Sequence, residues 1–325
     1  MSPVGQLVLY CLLILAASLL GGWVPLLARL THRRMELLVS FVSGVMLGVA
    51  VLHLLPHAWM ERAEWLQRSG AQPAVGHELI GPVVGWLLIG FLAMFFIERF
   101  FCFHHHDVPG PAGEPDRAPA GHGHQLTWTG AAIGLSLHSL AAGVALAASV
   151  EAGPADGAIV WTTGFSTFLA IFLHKPFDSM TLGTLMAVGR RSTRARHLVN
   201  VAFGLVVPVG VGLFFLGAGA ARDGASGLVS CALAFSAGTF LCISLSDLLP
   251  ELQFHQHDRL KLSAALLLGL AVAWASARVE AGHHEALNSM LDRDRPMGIL
   301  IARCHHERPP SRSSLFPGPV EGRPR

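Results

Sequence analysis

Eight stretches of this chain are each long and apolar enough to cross a bilayer, roughly 4–28, 36–60, 79–101, 127–150, 158–188, 198–220, 225–250 and 260–279. A bilayer needs about 20 apolar residues in helical form. Inside lipid every backbone N–H and C=O must be satisfied by the protein, and within single segments of this length only a helix does so. The expected fold is therefore all-α, a polytopic membrane protein of eight transmembrane helices. The composition agrees, with 52% hydrophobic and 14% charged residues. A net charge of +2 without a basic stripe argues against a nucleic-acid partner. Five cysteines are scattered singly and form no CxxC pair and no disulfide framework. Phosphate-binding loops, serine-nucleophile elbows and HExxH are absent, so no enzyme is expected.

The connectors set a topology. Those after spans 1, 3, 5 and 7 hold 11 of the Lys and Arg residues, against three (Arg62, Arg68, Arg222) after spans 2, 4 and 6. Positive charge favours the cytoplasmic side, which predicts both termini outside. Residues 1–279 then form the eight-span domain, with a cytoplasmic His-rich loop over 102–126. The tail, 280–325, has no sustained apolar period and is expected to be disordered. An arginine-rich, alanine-rich chain with two lysines suggests a GC-rich bacterial genome, and hence the bacterial inner (plasma) membrane.

The chain repeats itself. Span 2 reads GVMLGVAVLHLLPHA from Gly44, and span 7 reads GTFLCISLSDLLPEL from Gly238. At a constant offset of 194, Gly44 matches Gly238, Leu54-Leu55-Pro56 matches Leu248-Leu249-Pro250, His53 matches Asp247 and His57 matches Glu251. Five crossings separate the two spans, so they run in opposite directions. Inverted repeats (spans 1–3 and 6–8) around central spans 4 and 5 are a transporter signature.

The chemistry concentrates in those central spans. Span 5 reads GFSTFLAIFLHKPFDSMTLGTLMAV, with His174, Lys175, Pro176 and Asp178 at its middle. Ionisable groups at mid-bilayer are expensive and usually functional. His174 and Asp178 are four apart and share a helix face; Pro176 lies between them, and is expected to break the helix and free the carbonyl of Phe172. His138 occupies the middle of span 4. Two imidazoles and a carboxylate suit Zn²⁺, and also Fe²⁺, Mn²⁺ or Cd²⁺. Each histidine alone could equally be a core residue bonded to a carbonyl; the three together at mid-bilayer favour ligation. Ser139 adds a hydroxyl beside His138, or simply belongs to the small residues that let span 4 pack closely. His53 and His57 close span 2, and Asp247 and Glu251 close span 7, as pathway relays or as ordinary interfacial residues. In the loop, His104, His105, His106, His122 and His124 offer weak metal capture, with a plain flexible linker as the other reading.

The motifs His138-Ser139-Leu140-Ala141-Ala142-Gly143 and His174-Lys175-Pro176-Phe177-Asp178 resemble spans 4 and 5 of the ZIP (zinc/iron-permease) family. Spans 2 and 7, the eight-span topology and the His-rich loop resemble it too. The resemblance covers residues 1 to about 280 and implies a divalent-metal transporter, with Zn²⁺ foremost as substrate and no cofactor, working as a homodimer in the lipid bilayer. It departs from the family pattern at Ser139 for asparagine, at Ala142 for a carboxylate, at Ser179 for glycine and in the early Pro176. A shared two-metal site needs the carboxylate that Ala142 lacks. The resemblance therefore implies one metal on His138, His174 and Asp178, with the Lys175 ammonium standing in for a second ion and paired with Asp178 when the site is empty. Met46 in span 2 is a soft contact at the mouth, or core packing. Two other classes carry some of the same residues: an intramembrane zinc-dependent hydrolase, and a transport-deficient metal sensor.

Overall fold

The computed structural model describes residues 2–27, 32–70, 77–101, 128–152, 163–220, 225–254 and 259–294; within them, the side chains of 24–27, 32, 77–78, 101, 220, 225–226, 247–254 and 281–294 are not described. The described residues hold helices and no strand. In order they are α1 Pro3–Leu27, α2 His32–Val49, a π-helical segment Ala50–Leu54, α3 Leu55–Arg68, α4 His77–Phe101, α5 Trp128–Glu151, α6 Phe165–Val188, α7 Thr193–Gly204, α8 Val206–Ala220, α9 Ala225–Phe254 and α10 Arg259–Asp294. Residues Met1–His284 form one compact unit.

The helices account for the eight spans. Among the described residues seven segments are long and apolar enough to cross a membrane; α2, the π segment and α3 merge into one (Arg33–Arg68), and α7 with α8 into another (Thr193–Gly219). The eighth is α6, 24 residues long, whose mean hydropathy is lowered by the ionisable residues at its centre. It runs unbroken through Pro176, where the sequence predicted a break. The irregularity lies instead in span 2, where the extra residue of the π segment carries His53. At the far end α10 continues as helix to Asp294, beyond the boundary at 280 expected from hydropathy.

Burial ranks the spans. The apolar windows of α5 and α9 are 61% and 67% buried, whereas those of α4 and α10 are 17% and 22% buried. The first pair is therefore central, and α4 and α10 turn Val84, Leu88, Leu267 and Leu268 outward, as a lipid-facing surface requires.

Glycines show how the helices are joined. A Cβ on Gly44 of α2 would strike the Leu266 carbonyl of α10, and one on Gly269 of α10 would strike the Phe41 carbonyl of α2. Likewise a Cβ on Gly238 of α9 would strike the Leu87 carbonyl of α4, and one on Gly90 of α4 would strike the Phe235 carbonyl of α9. The sequence offset of 194 carries Phe41 onto Phe235 and Gly44 onto Gly238. The two joints are thus the same joint built twice, each pairing a helix of one repeat with a helix of the other. Lipid tails give helices little hydrophobic reason to associate, so backbone-to-backbone approach at small residues does much of the work. The same device joins α5 to α8, where Gly143 lies on the Val207 carbonyl and Gly210 on that of Leu140, and α1 to α6, where Gly21 lies on the Pro176 carbonyl.

These joints pair α1 with α6, α5 with α8, α2 with α10 and α4 with α9. We group α1 and α5–α8, around the two helices that carry the central histidines, as one bundle, and α2–α4, α9 and α10, which hold the repeated joint, as the other. They meet along α5 with α9 and α6 with α2, over a core that includes Val45, Leu146, Ile171, Leu233 and Phe240.

Candidate functional site

The centre of the α5–α6 pair is polar where a membrane interior should not be. His138 on α5 and His174 on α6 are buried, and their Nε2 atoms stand 3.2 Å apart. Asp178, one turn after His174, brings Oδ2 to 3.8 Å from His138 Nε2 and 4.0 Å from His174 Nε2. Among the described residues this is the one group of three His, Cys, Asp or Glu side chains close enough to share an ion.

Hydrogen bonding orients the imidazoles. His174 Nδ1 lies 2.8 Å from the Ala170 carbonyl, which can only accept, so Nδ1 carries the proton and Nε2 turns a lone pair into the site. A metal-binding histidine is characteristically held this way. In the empty site His138 Nε2–H is then the donor to His174 Nε2; to hold an ion, His138 carries its proton on Nδ1 instead and gives the Nε2 lone pair to the metal.

The spacing suits an ion. Two nitrogens on a tetrahedral Zn²⁺ at 2.0–2.1 Å are roughly 3.3–3.4 Å apart, close to the 3.2 Å found here. The carboxylate needs to close by about half an ångström. Its Oδ2 is buried and has no hydrogen-bond partner. A buried oxygen left unsatisfied is costly unless something else occupies it. The edge of the His174 ring meets Phe240 of α9, with ring centroids 6.2 Å apart.

Lys175 is fully buried, yet it makes no ion pair with Asp178. Its Nζ donates to Ser139 Oγ in a short contact and lies 3.6 Å from the centroid of the Phe203 ring. Ser139 Oγ in turn donates to the Leu135 carbonyl at 2.7 Å. A hydroxyl and an aromatic face therefore hold the ammonium, and Ser139 is occupied in anchoring it. Phe203, on α7, carried no signal in the sequence beyond its apolar character.

The other candidates are dispersed. Met46 is buried within the hydrophobic core, and so is Ala142. His53 lies in the π segment and His57 one turn later in α3, with His57 Nδ1 donating to the His53 carbonyl at 2.9 Å. Asp247 and Glu251 lie on α9, and their side chains are outside the described set. The loop residues His104, His105, His106, His122 and His124 fall outside the described residues altogether.

One buried carboxylate escaped the sequence reading. Glu280 of α10 accepts from Gly164 N at 2.6 Å and Ser166 Oγ at 3.0 Å, and lies 3.6 Å from His53 Nδ1. An acid at the very end of an apolar run was the available signal; it was lost because that run was taken to stop one residue earlier.

The chain is similar to known transporters over most of its length. Residues 5–130 and 112–277 match the family model described as ZIP Zinc transporter. Zinc transporter ZIP9-B of Xenopus laevis is 28% identical over 279 residues, covering 77% of this chain and 87% of the relative. Zinc transporter ZIP9 of Micropogonias undulatus is 27% identical, covering 73% and 82%, and Zinc transporter ZIP13 of Mus musculus is 27% identical, covering 72% and 67%. The buried imidazole–carboxylate centre, the eight-span fold with its inverted repeats and this match together make the chain a member of the ZIP family of divalent metal transporters.

Proposed function

We propose that the protein carries a divalent transition metal, Zn²⁺ foremost, across the membrane into the cytoplasm through a single site made by His138, His174 and Asp178. The observation that carries this reading is the buried trio itself, with Asp178 Oδ2 lacking a partner. All three ligands sit in one bundle, on α5 and α6. The bundle can therefore shift against the other without breaking the coordination, which is what alternating access requires. Zn²⁺ is the substrate, no cofactor is called for, and Fe²⁺, Mn²⁺ and Cd²⁺ fit the same donors.

The remaining residues have roles in the same scheme. Lys175 supplies the positive charge of a second ion, held in place by Ser139. Met46 contributes packing at the mouth. His53 and His57 feed the ion from the side where both termini lie, outside the cell. Asp247 and Glu251 draw it to the cytoplasm, where the loop histidines catch it. The membrane is the bacterial inner membrane, the working form is a homodimer, and the tail after 280 contributes no ligand. The hydrolase reading shares the trio but gives the inverted repeat no purpose; a transport-deficient sensor would bind the metal without moving it.

Radioactive zinc uptake into vesicles tests the proposal. Wild type is expected to exceed empty vesicles, with His174→Ala at background. Equal uptake by both proteins overturns it.

A further inference from the structure

We propose that Glu280 is a positioning residue that straps the metal-carrying helix α6 to the opposite bundle, and that the strap opens when the carboxylate passes to His53. The inference rests on the alternating-access reading above.

Glu280 is 2% exposed. A carboxylate buried this deeply is tolerable only when hydrogen-bonded, and its hydrogen bonds go to the start of α6. Gly164 there is left-handed, at φ 68°, and supplies no side-chain cap. The first N–H groups of a helix need acceptors, and its positive dipole end favours an anion. Glu280 provides both from another helix, taking Gly164 N–H on one oxygen and the Ser166 hydroxyl on the other.

The bond crosses between bundles. On one side α10 is locked to α2 through Gly269 and Gly44 and through Ser40 Oγ, which donates to the Leu262 carbonyl at 2.9 Å. On the other side the start of α6 belongs with α1, because Gln6 Nε2 donates to the Thr163 carbonyl at 2.8 Å. Ser166 precedes His174 by eight residues on one continuous helix, about 12 Å along its axis. Any shift of the metal site relative to α10 along that axis must therefore break or carry the Glu280 bonds.

A second partner stands ready. His53 Nδ1 is 3.6 Å from Glu280 Oε2 and belongs to the same bundle as α10. It sits in the π segment, a helix irregularity frequent at functional sites. The carboxylate thus has one set of donors on the moving bundle and another donor on its own. Two discrete arrangements of one group, biased by the position of α6, constitute a physical two-state element.

The test uses the full-length protein in vesicles, with native cysteines replaced and Thr163→Cys as a reporter of access to the start of α6. Labelling by a membrane-impermeant maleimide is expected to speed up about tenfold on Glu280→Ala, and less on Glu280→Gln, as the open population grows. His53→Ala removes the second partner and is expected to slow labelling below the parent rate. Cobalt affinity at the central site, read from its d–d absorption in detergent, should stay within about threefold of the parent in both Glu280 variants, because Glu280 is not a ligand of that site. Unchanged labelling in both Glu280 variants overturns the proposal. So does faster labelling in His53→Ala, or a loss of cobalt affinity that parallels the labelling, since either marks general loosening. Labelling does not depend on zinc flux, so failure of the transport reading would appear separately in the uptake assay.

Discussion

The Nε2 atoms of His138 and His174 face each other 3.2 Å apart across the α5–α6 junction, with the proton on His174 committed to the Ala170 carbonyl. Two neutral imidazoles are thus arranged around a place that one proton occupies in the empty site. That arrangement makes the pair a trap for an ion that can occupy that place once His138 carries its proton on Nδ1.

Removing either ring should abolish high-affinity binding. His138→Ala and His174→Ala are each expected to weaken Zn²⁺ binding by more than about 100-fold, because loss of even an outer-shell partner costs about 10–100-fold. Isothermal titration of the purified protein in detergent checks this. An affinity unchanged in either variant rules out the shared site.

Binding should also follow pH with a definite sign. Both imidazoles must be unprotonated to hold the metal, so acid competes with it and affinity falls as pH is lowered through the histidine range. Two imidazolium ions with nitrogens 3.2 Å apart repel, so one proton competes at a time and the loss approaches about tenfold per pH unit below that range. Equilibrium dialysis with ⁶⁵Zn between about pH 7.5 and 5.5 measures it. Affinity that rises as pH is lowered would mean that the histidines are not ligands.

Lys175 leads to an expectation about stoichiometry. Its ammonium is held by Ser139 and Phe203 and is free of any ion pair with Asp178. If it replaces a second ion, Lys175→Glu should raise the bound Zn²⁺ from one equivalent to two, while Lys175→Met should leave it at one. Metal analysis of protein equilibrated with buffered zinc, with the loop histidines substituted, decides the matter.

The repeated glycine joint makes a prediction about stability. A methyl on Gly44 or Gly238 would press on a carbonyl of α10 or α4 respectively. Overpacking of this kind costs about 1–3 kcal/mol, and the common geometry implies similar losses at both positions. Thermal unfolding of Gly44→Ala and Gly238→Ala in detergent tests this. A clear drop in only one of them would mean that the two joints are not equivalent.

Much of the protein could be foreseen from its residues, and the reason is the solvent. Lipid forces each apolar run into a helix, so eight runs specify an all-α bundle before any packing is known. It also makes buried ionisable groups rare, so His138, His174 and Asp178 stand out against their apolar surroundings. The repeat was visible because Gly44 and Gly238 must stay small where two backbones touch, and Leu-Leu-Pro marks the ends of both spans.

What remained hidden depends on partners distant in the chain. Lys175 could not be assigned to Ser139 and Phe203 rather than Asp178 without the docking of α5 and α7 on α6. Glu280 bonds to Gly164 and Ser166 across more than a hundred residues, and no local pattern specifies such a pairing. Pro176 was expected to break its helix, yet α6 continues through it with Gly21 of α1 packed against its carbonyl. Hydropathy and local spacing report what each segment exposes to lipid. Which buried polar group meets which is settled only when separate helices pack, because each must find its partner there or be left unsatisfied in a medium that offers none.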